Sequence, residues 1–414
     1  MRYLLATCGT GGDQVPYIAI GKHLADQGHD VTLIGNGAYR HLADRVNLPF
    51  VSIISPEEDA RRNRLRQSSG RNAGRSGIPN LIADIEPVYR ELAQRIRPGQ
   101  TVVLANIMAM GARLAQEKFD VPTVTLPPSP IVFYSPHDPA CWPPRMPGFL
   151  RGIMAHIVNR GMDRCFRPAL NEFRKKVGLP PQSQPVRPWM FSPDLVLNML
   201  PDWFLPPQPD WPPNVHSIGF MMPAVADTAP LPEVLEEFLA GGAPPLVFSY
   251  TSGISAAESF YRQGIEAAAQ LGERAVILAP DTIALPTALP RGMLRLPSAA
   301  HRRLFPRAKL AIHHGGVGSA AAACAAGVPH FIVPAMYDQP EVMRRLTRLG
   351  VADGLVPAKF TAAAAVPKLR ALMESASVHS HCREIADRMQ RENGLNRLTE
   401  LLHEFQHGRL KASA

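Results

Sequence analysis

Little in this chain serves cross-linking. Its 414 residues hold five cysteines, Cys8, Cys141, Cys165, Cys324 and Cys382, with no CxxC pair and no His/Cys cluster. Scattered cysteines argue against a disulfide framework and a thiolate zinc site, and reduced, unliganded thiols are the expectation. No apolar run reaches the length of a membrane-spanning helix. The N-terminus, MRYLLATCGTGGD, is a short strand into a glycine turn and lacks the charged n-region, long apolar stretch and cleavage site of a leader. A cytoplasmic protein is expected. A complete dinucleotide fingerprint is also missing, because Gln14 stands where the third glycine of GxGxxG would fall. Although the net charge is +9 and six arginines lie between Arg61 and Arg75, no nucleic-acid motif and no interleaved aromatics accompany them. A solvated loop is the plainer reading of that stretch, and a weak contact with anionic lipid or an acidic ligand lies between the two.

What is present is an α/β chain long enough for two domains, with 46% hydrophobic residues to fill their cores. Strands alternate with helical patterns. In the first half, strands at Tyr3–Ala6, Val31–Ile34, Phe50–Ile54, Thr101–Ala105, Thr123–Leu126 and Val196–Met199 are separated by helices. These helices fall near Tyr17–Gln27, Gly37–Val46, Ile78–Arg97, Met108–Lys118 and residues 150–178. That rhythm predicts a parallel, doubly wound sheet. The 42 prolines, about twice the usual share, concentrate between Pro122 and Pro245 and imply ordered loops there. The same grammar restarts at Leu246–Ser249, with a helix over Ser259–Leu271 and strands at Ala275–Leu278 and Met293–Leu296.

The densest signal is Leu310–Pro340, LAIHHGGVGSAAAACAAGVPHFIVPAMYDQP. An apolar strand ends in His313-His314, and a glycine turn leads into a run of small residues. A second strand then ends at Pro334, before Asp338-Gln339. A helix starting on such a turn offers unpaired N–H groups and the positive end of its dipole, a site for a phosphate or diphosphate. Ser319 adds a hydroxyl, and His314 a donor that can become cationic. Asp338 and Gln339 follow the next strand, where ligands of open α/β sheets sit, and suit sugar hydroxyls.

These residues carry a resemblance. His314, Gly315-Gly316, Gly318-Ser319, Ala326-Gly327-Val328-Pro329 and Asp338-Gln339 resemble the nucleotide-sugar signature of family 1 glycosyltransferases. The resemblance implies the GT-B fold: two Rossmann-like doubly wound domains facing across a cleft, with a C-terminal helix returning to the first. The expected boundaries are 1–222 for acceptor binding, 223–243 for a linker, 244–380 for the nucleotide sugar and 381–414 for the returning segment, with one helix over Val378–Gln406. Glu86-Pro87-Val88-Tyr89, Gly111-Ala112-Arg113 and Pro201-Asp202-Trp203-Phe204 are similar to segments of the rhamnosyltransferases of rhamnolipid synthesis. This favours L-rhamnose from dTDP-rhamnose, then glucose from UDP-glucose, and a hydrophobic hydroxyl-bearing acceptor. It departs at the signature itself, where those enzymes have Pro at the position of His314, and across the arginine-rich stretch.

Roles follow from the resemblance residue by residue. Asp13, after the first glycines, is the expected base; its competing role is to cap the helix that follows. Asn106 stands where plant members carry the Asp that orients a catalytic His. His314, Gly316, Gly318, Ser319, Thr251 and Ser252 are expected at the diphosphate, Asp338 and Gln339 at the sugar, and His301 at the base. The competing role of Asp338 and Gln339 is to close a loop. His313 reads as packing. Met108, Pro127, Ser129 and Phe133 are expected to line the acceptor site. Ala322 replaces the Glu that grips the ribose in plant enzymes, which suits a 2′-deoxyribose. With no Asp-x-Asp triplet, no metal and no cofactor are expected. An epimerase acting on nucleotide sugars at the 2-position and a non-catalytic nucleotide-sugar-binding subunit remain as alternatives. Oligomeric state is left open, and a peripheral contact with the inner membrane face is compatible with a lipid acceptor.

Overall fold

A computed structural model describes residues 1–68, 73–143, 146–221, 230–250, 257–286 and 288–409, with backbone alone over 66–68 and 73–76. It divides into two compact units, Met1–Val225 with Asn393–Ala414, and Ala226–Glu392.

In the first unit, strands β1 (Arg2–Ala6), β2 (Asp30–Asn36), β3 (Phe50–Ile54), β4 (Thr101–Ala105), β5 (Thr123–Thr125), β6 (Leu195–Asn198) and β7 (Val215–Ser217) pair in the order β3-β2-β1-β4-β5-β6-β7, all parallel. Helices α1 (Gly11–Asp26), α2 (Arg40–Asp44), α3 (Pro56–Ser68), α4 (Ala73–Ala83), α5 (Ile85–Ala93), α6 (Met110–Phe119) and α7 (Gly148–Lys176) connect them. The two-residue period of β1 serves both faces of the sheet. Tyr3 and Leu5 pack with Tyr17, Ile18 and Ile20 of α1, while Leu4 and Ala6 pack with Val88 and Leu92 of α5 and Ala112 of α6.

The second unit repeats the plan. Strands β8 (Leu246–Ser249), β9 (Ala275–Leu278), β10 (Met293–Leu296), β11 (Leu310–His313), β12 (His330–Ile332) and β13 (Ala352–Gly354) run parallel in the order β10-β9-β8-β11-β12-β13. Its helices are α8 (Glu233–Ala240), α9 (Ala257–Leu271), α10 (His301–Leu304), α11 (Val317–Ala326), α12 (Gln339–Arg348), α13 (Ala362–Glu374) and α14 (Ala376–Arg391). Then α15 (Gly394–Gln406) packs Leu398, Leu401 and Leu402 into the core beside α1.

Several expectations need correction. The arginine-rich stretch, expected as a solvated loop, has residues 69–72 outside the described residues, and its start is helix α3. There the buried Arg62 pairs with the buried Asp84 (2.7 Å) and with Glu58 (2.8 Å). The helix expected over Ile78–Arg97 is two, because Pro87 has no N–H for the carbonyl of Ala83. The final helix is also two. Asn393 caps α15 through its side chain (3.1 Å to the Asn396 N–H), and α14 belongs to the second unit. Part of the expected linker is helix α8, and its residues 223–229 lie outside the described residues. The short edge strands β7 and β13 carried too little periodicity to be seen in sequence.

Candidate active site

Each sheet order reverses once, between β1 and β4 and between β8 and β11. At such a switch point the loops leaving adjacent strands part and open a crevice.

At the first switch point Ala6 and Ala105 are partners, so the loops Thr7–Thr10 and Asn106–Ala109 leave side by side. Asp13 sits in the first turn of α1, half-buried. Its Oδ2 accepts from the Thr10 N–H (2.8 Å) and the Thr10 hydroxyl (3.1 Å), while its carbonyl accepts from the Thr7 hydroxyl (2.9 Å). Thr10 is the N-cap and Asp13 the third helical residue of a capping box. The capping role weighed against catalysis is therefore real. Gly9 holds φ at +110°, and a β-carbon there would lie 2.8 Å from Asp13 Cγ and 3.0 Å from Met108 Cε. Asp13 and Met108 thus meet over the same glycine. Asn106 is buried; its Oδ1 accepts from the Met108 N–H (2.8 Å), and its Nδ2 has no hydrogen-bond partner among the described residues. Burial pushes the Cys8 thiol well up, with the Asp84 and Asp13 carboxylates adding to the effect and Arg62 opposing it, so Cys8 stays a thiol.

At the second switch point His313 pairs with Ser249 across β11 and β8. The next residue, His314, turns its ring to the start of α11. A β-carbon on Gly316, the N-cap, would lie 2.6 Å from His314 Nε2. The N–H groups of that first turn have no intrahelical acceptor, and the β-carbon position of Gly318 meets nothing within 4 Å among the described residues. An anion at this helix start would meet backbone N–H groups, the Ser319 turn and the His314 imidazole together. Burial and then the nearby His301 lower the His314 pKa to about 4, against a hydrogen bond to the Ser249 backbone that raises it. At neutral pH the free protein therefore offers a neutral imidazole here, not the cation the sequence suggested.

His313 is fully buried and begins a chain whose tautomers are fixed. The Gly315 N–H donates to His313 Nδ1 (3.0 Å), so the proton of His313 is on Nε2, facing His330 Nδ1 (3.1 Å). The proton of His330 is then on Nε2, facing Cys324 Sγ (3.5 Å). Burial lowers the His330 pKa to about 3, and burial with His330 alongside lowers that of His313 well below normal. The chain pins Gly315, whose φ of +89° and approach to Gln339 (3.2 Å from its carbonyl to a would-be β-carbon) leave no room for a side chain.

The remaining expected residues divide. His301 Nε2 lies 3.0 Å from the Ser249 hydroxyl, and its ring stacks on Phe305 (4.6 Å between centroids), so one face is already covered. Asp338 is half-buried at the N-cap of α12. The Gln339 Oε1 accepts from the N–H groups of Ala335 (2.7 Å) and Met336 (3.0 Å). Its carbonyl closes the loop, and only its amide nitrogen is left to offer. Phe133 is buried between Phe191 and Trp211, and Pro127 is buried with its carbonyl bonded to the Met199 N–H (3.2 Å). These two pack the unit rather than form an open wall. Met108 and Ser129 are half-buried at their loops. Thr251 and Ser252 lie outside the described residues. Sequence reasoning missed Thr10, Ser249, His330 and Gln14. The last bridges the Thr7 carbonyl and the Asn36 N–H (3.4 Å each) where a fingerprint glycine would leave the helix close to the sheet.

Two Rossmann-type sheets, one with a carboxylate at its switch point and the other with an anion-ready helix start, are the architecture of a GT-B glycosyltransferase. Residues 3–126 match the glycosyltransferase family 28 N-terminal domain, and residues 266–398 match the erythromycin biosynthesis protein CIII-like C-terminal domain. The chain is 28% identical to O-mycaminosyltylonolide 6-deoxyallosyltransferase of Streptomyces fradiae, over 100% of this chain and 99% of that one. The glycotransferase of kitacinnamycin shares the fold at a TM-score of 0.73 and 17% identity, covering 98% of both chains. Spinosyn rhamnosyltransferase complexed with thymidine diphosphate does so at 0.68 and 18%, covering 97% of this chain and 100% of that one. The chain belongs to the family 1 GT-B glycosyltransferases.

Proposed function

We propose that the protein is an inverting, metal-independent glycosyltransferase. It moves a hexose from a nucleotide sugar to a hydroxyl of a hydrophobic acceptor, a secondary metabolite or hydroxy-lipid. The observation that carries this reading is His314 Nε2 poised over Gly316 at the start of α11. In this role the second unit holds the donor: the α11 N–H groups, His314 and Ser319 take up charge on the leaving nucleoside diphosphate. Asp338 and the amide nitrogen of Gln339 orient the sugar. Asp13 of the first unit takes the proton of the acceptor hydroxyl. The oxygen forms its bond to the anomeric carbon as the bond from that carbon to the diphosphate breaks. Met108 and Ser129 touch the acceptor.

dTDP-L-rhamnose is the favoured donor and UDP-glucose the second. Ala322 in place of a carboxylate suits the deoxyribose of dTDP, and a rhamnosyltransferase of the same fold was solved with thymidine diphosphate. O-mycaminosyltylonolide is the acceptor in the name of the Streptomyces relative. The test is one assay with purified protein, a panel of dTDP- and UDP-sugars, and macrolide and hydroxy-lipid acceptors. Acceptor-dependent nucleoside diphosphate release, unaffected by EDTA, is expected. Sugar turnover without acceptor would favour the epimerase instead, and loss in EDTA restored by Mg²⁺ would remove metal independence.

A further inference from the structure

Among the described residues thirteen large hydrophobic side chains are exposed, and six of them fall within ten positions of α7: Phe149, Leu150, Ile153, Met154, Ile157 and Val158. Single exposed apolar residues are ordinary; a contiguous set marks a surface that is covered in use. At 3.6 residues per turn all six share one half of the helix circumference. The opposite half carries Ala155, Phe166, Leu170 and Phe173, which are buried. Phe149 is 71% exposed and Ile157 56%. Core packing explains the inner face and leaves the outer one without a purpose inside the fold.

The charges beside this ridge are of one sign. Arg160, Arg164 and Arg167 are exposed and continue the outward face along the helix. From Gly148 to Asn171 the one acidic residue is Asp163, which is buried and accepts from the Val186 N–H (3.0 Å). We propose that the outer face of α7 lies on an anionic phospholipid surface. Its apolar side chains enter the acyl boundary and its arginines meet lipid phosphates. An apolar face flanked by arginines, without acids, is the pattern of helices that lie in the membrane interface. A second copy of this chain would offer the ridge the same arginines and, with a net charge of +9, no complementary field. Membrane contact is independent of the donor, so the inference stands or falls apart from the reaction.

The test is vesicle sedimentation of the full chain. Binding is expected to vesicles of phosphatidylglycerol with phosphatidylcholine, weakening as salt rises, with little binding to phosphatidylcholine alone. The double variant Ile153→Gln/Ile157→Gln should bind roughly tenfold more weakly. Neutralising Arg160, Arg164 and Arg167 to Gln should cost about fivefold for each. All variants should keep the wild-type far-ultraviolet spectrum, since none of these side chains is buried. No binding to the anionic vesicles, or equal binding by wild type and variants, would overturn the proposal. Self-association that the double variant abolishes would overturn it too, by assigning the ridge to a second copy.

Discussion

Asp13 Oδ2 accepts two hydrogen bonds from Thr10, one from its backbone N–H at 2.8 Å and one from its hydroxyl at 3.1 Å. One side chain therefore both closes the first turn of α1 and holds a carboxylate at the switch point of its sheet. The arrangement fixes the rotamer of the carboxylate.

Replacing Asp13 separates the two roles. In Asp13→Asn the amide oxygen still accepts from Thr10, so thermal unfolding should move little, while turnover falls by about 10²–10⁴-fold with the proton acceptor gone. Asp13→Ala should lose the same turnover and about 1 kcal/mol of stability as well. Donor affinity, measured by calorimetry, should be unchanged in both. Near-normal turnover in the Asn variant would remove the base assignment.

Gly9 tests the geometry that holds the carboxylate. A β-carbon at this position would press on Asp13 Cγ at 2.8 Å and Met108 Cε at 3.0 Å, on a backbone at φ +110° that side chains avoid. Gly9→Ala should destabilise the protein by about 1–3 kcal/mol and lower turnover more than it weakens donor binding. A fully active Gly9→Ala protein would show that the Asp13 and Met108 positions do not matter to transfer.

The parallel sheets and the glycine turn of α11 were legible because they rest on local patterns. Leu310–Ile312 is a continuous apolar run, and the Gly315-Gly316 turn and Gly327 punctuate it. What was not legible depends on partners far apart in sequence. Ser249 reaches His301 across 52 residues and Arg62 reaches Asp84 across 22, and no spacing rule points to either. His330 looked like one polar residue in a strand; only the fold sets it between His313 and Cys324. Phe133 read as an acceptor wall, and sequence does not say that Phe191 and Trp211 pack against its ring.

The buried imidazoles make stability depend on pH in a definite direction. His313 and His330 are neutral in the folded protein, with pKa values held below the value of about 6.5 they regain on unfolding. The unfolded chain therefore binds more protons as pH falls below 6.5. Stability is complete above that pH and declines below it, by up to about 1.4 kcal/mol per pH unit for each imidazole. For His330 the decline runs down toward pH 3. Urea unfolding at pH 7, 6 and 5 should show the decline, and His330→Gln should make it shallower. An unchanged slope in that variant would mean that His330 titrates normally in the folded state.

The same argument gives His314 a signature in donor binding. Free, its imidazole has a pKa of about 4, lowered by burial and by His301. A bound diphosphate beside Nε2 would stabilise the imidazolium and raise that value. Binding must then draw in a proton wherever the pH lies between the free and bound values. Affinity for the nucleoside diphosphate should therefore rise as pH falls from 7 toward 5, beyond any change due to the ligand's own titration. His314→Gln supplies the reference: it keeps an N–H donor and the ligand's titration but cannot ionise. Calorimetry in two buffers of different ionisation enthalpy would count the proton directly. Equal proton uptake in wild type and His314→Gln would show that the diphosphate does not sit against this imidazole.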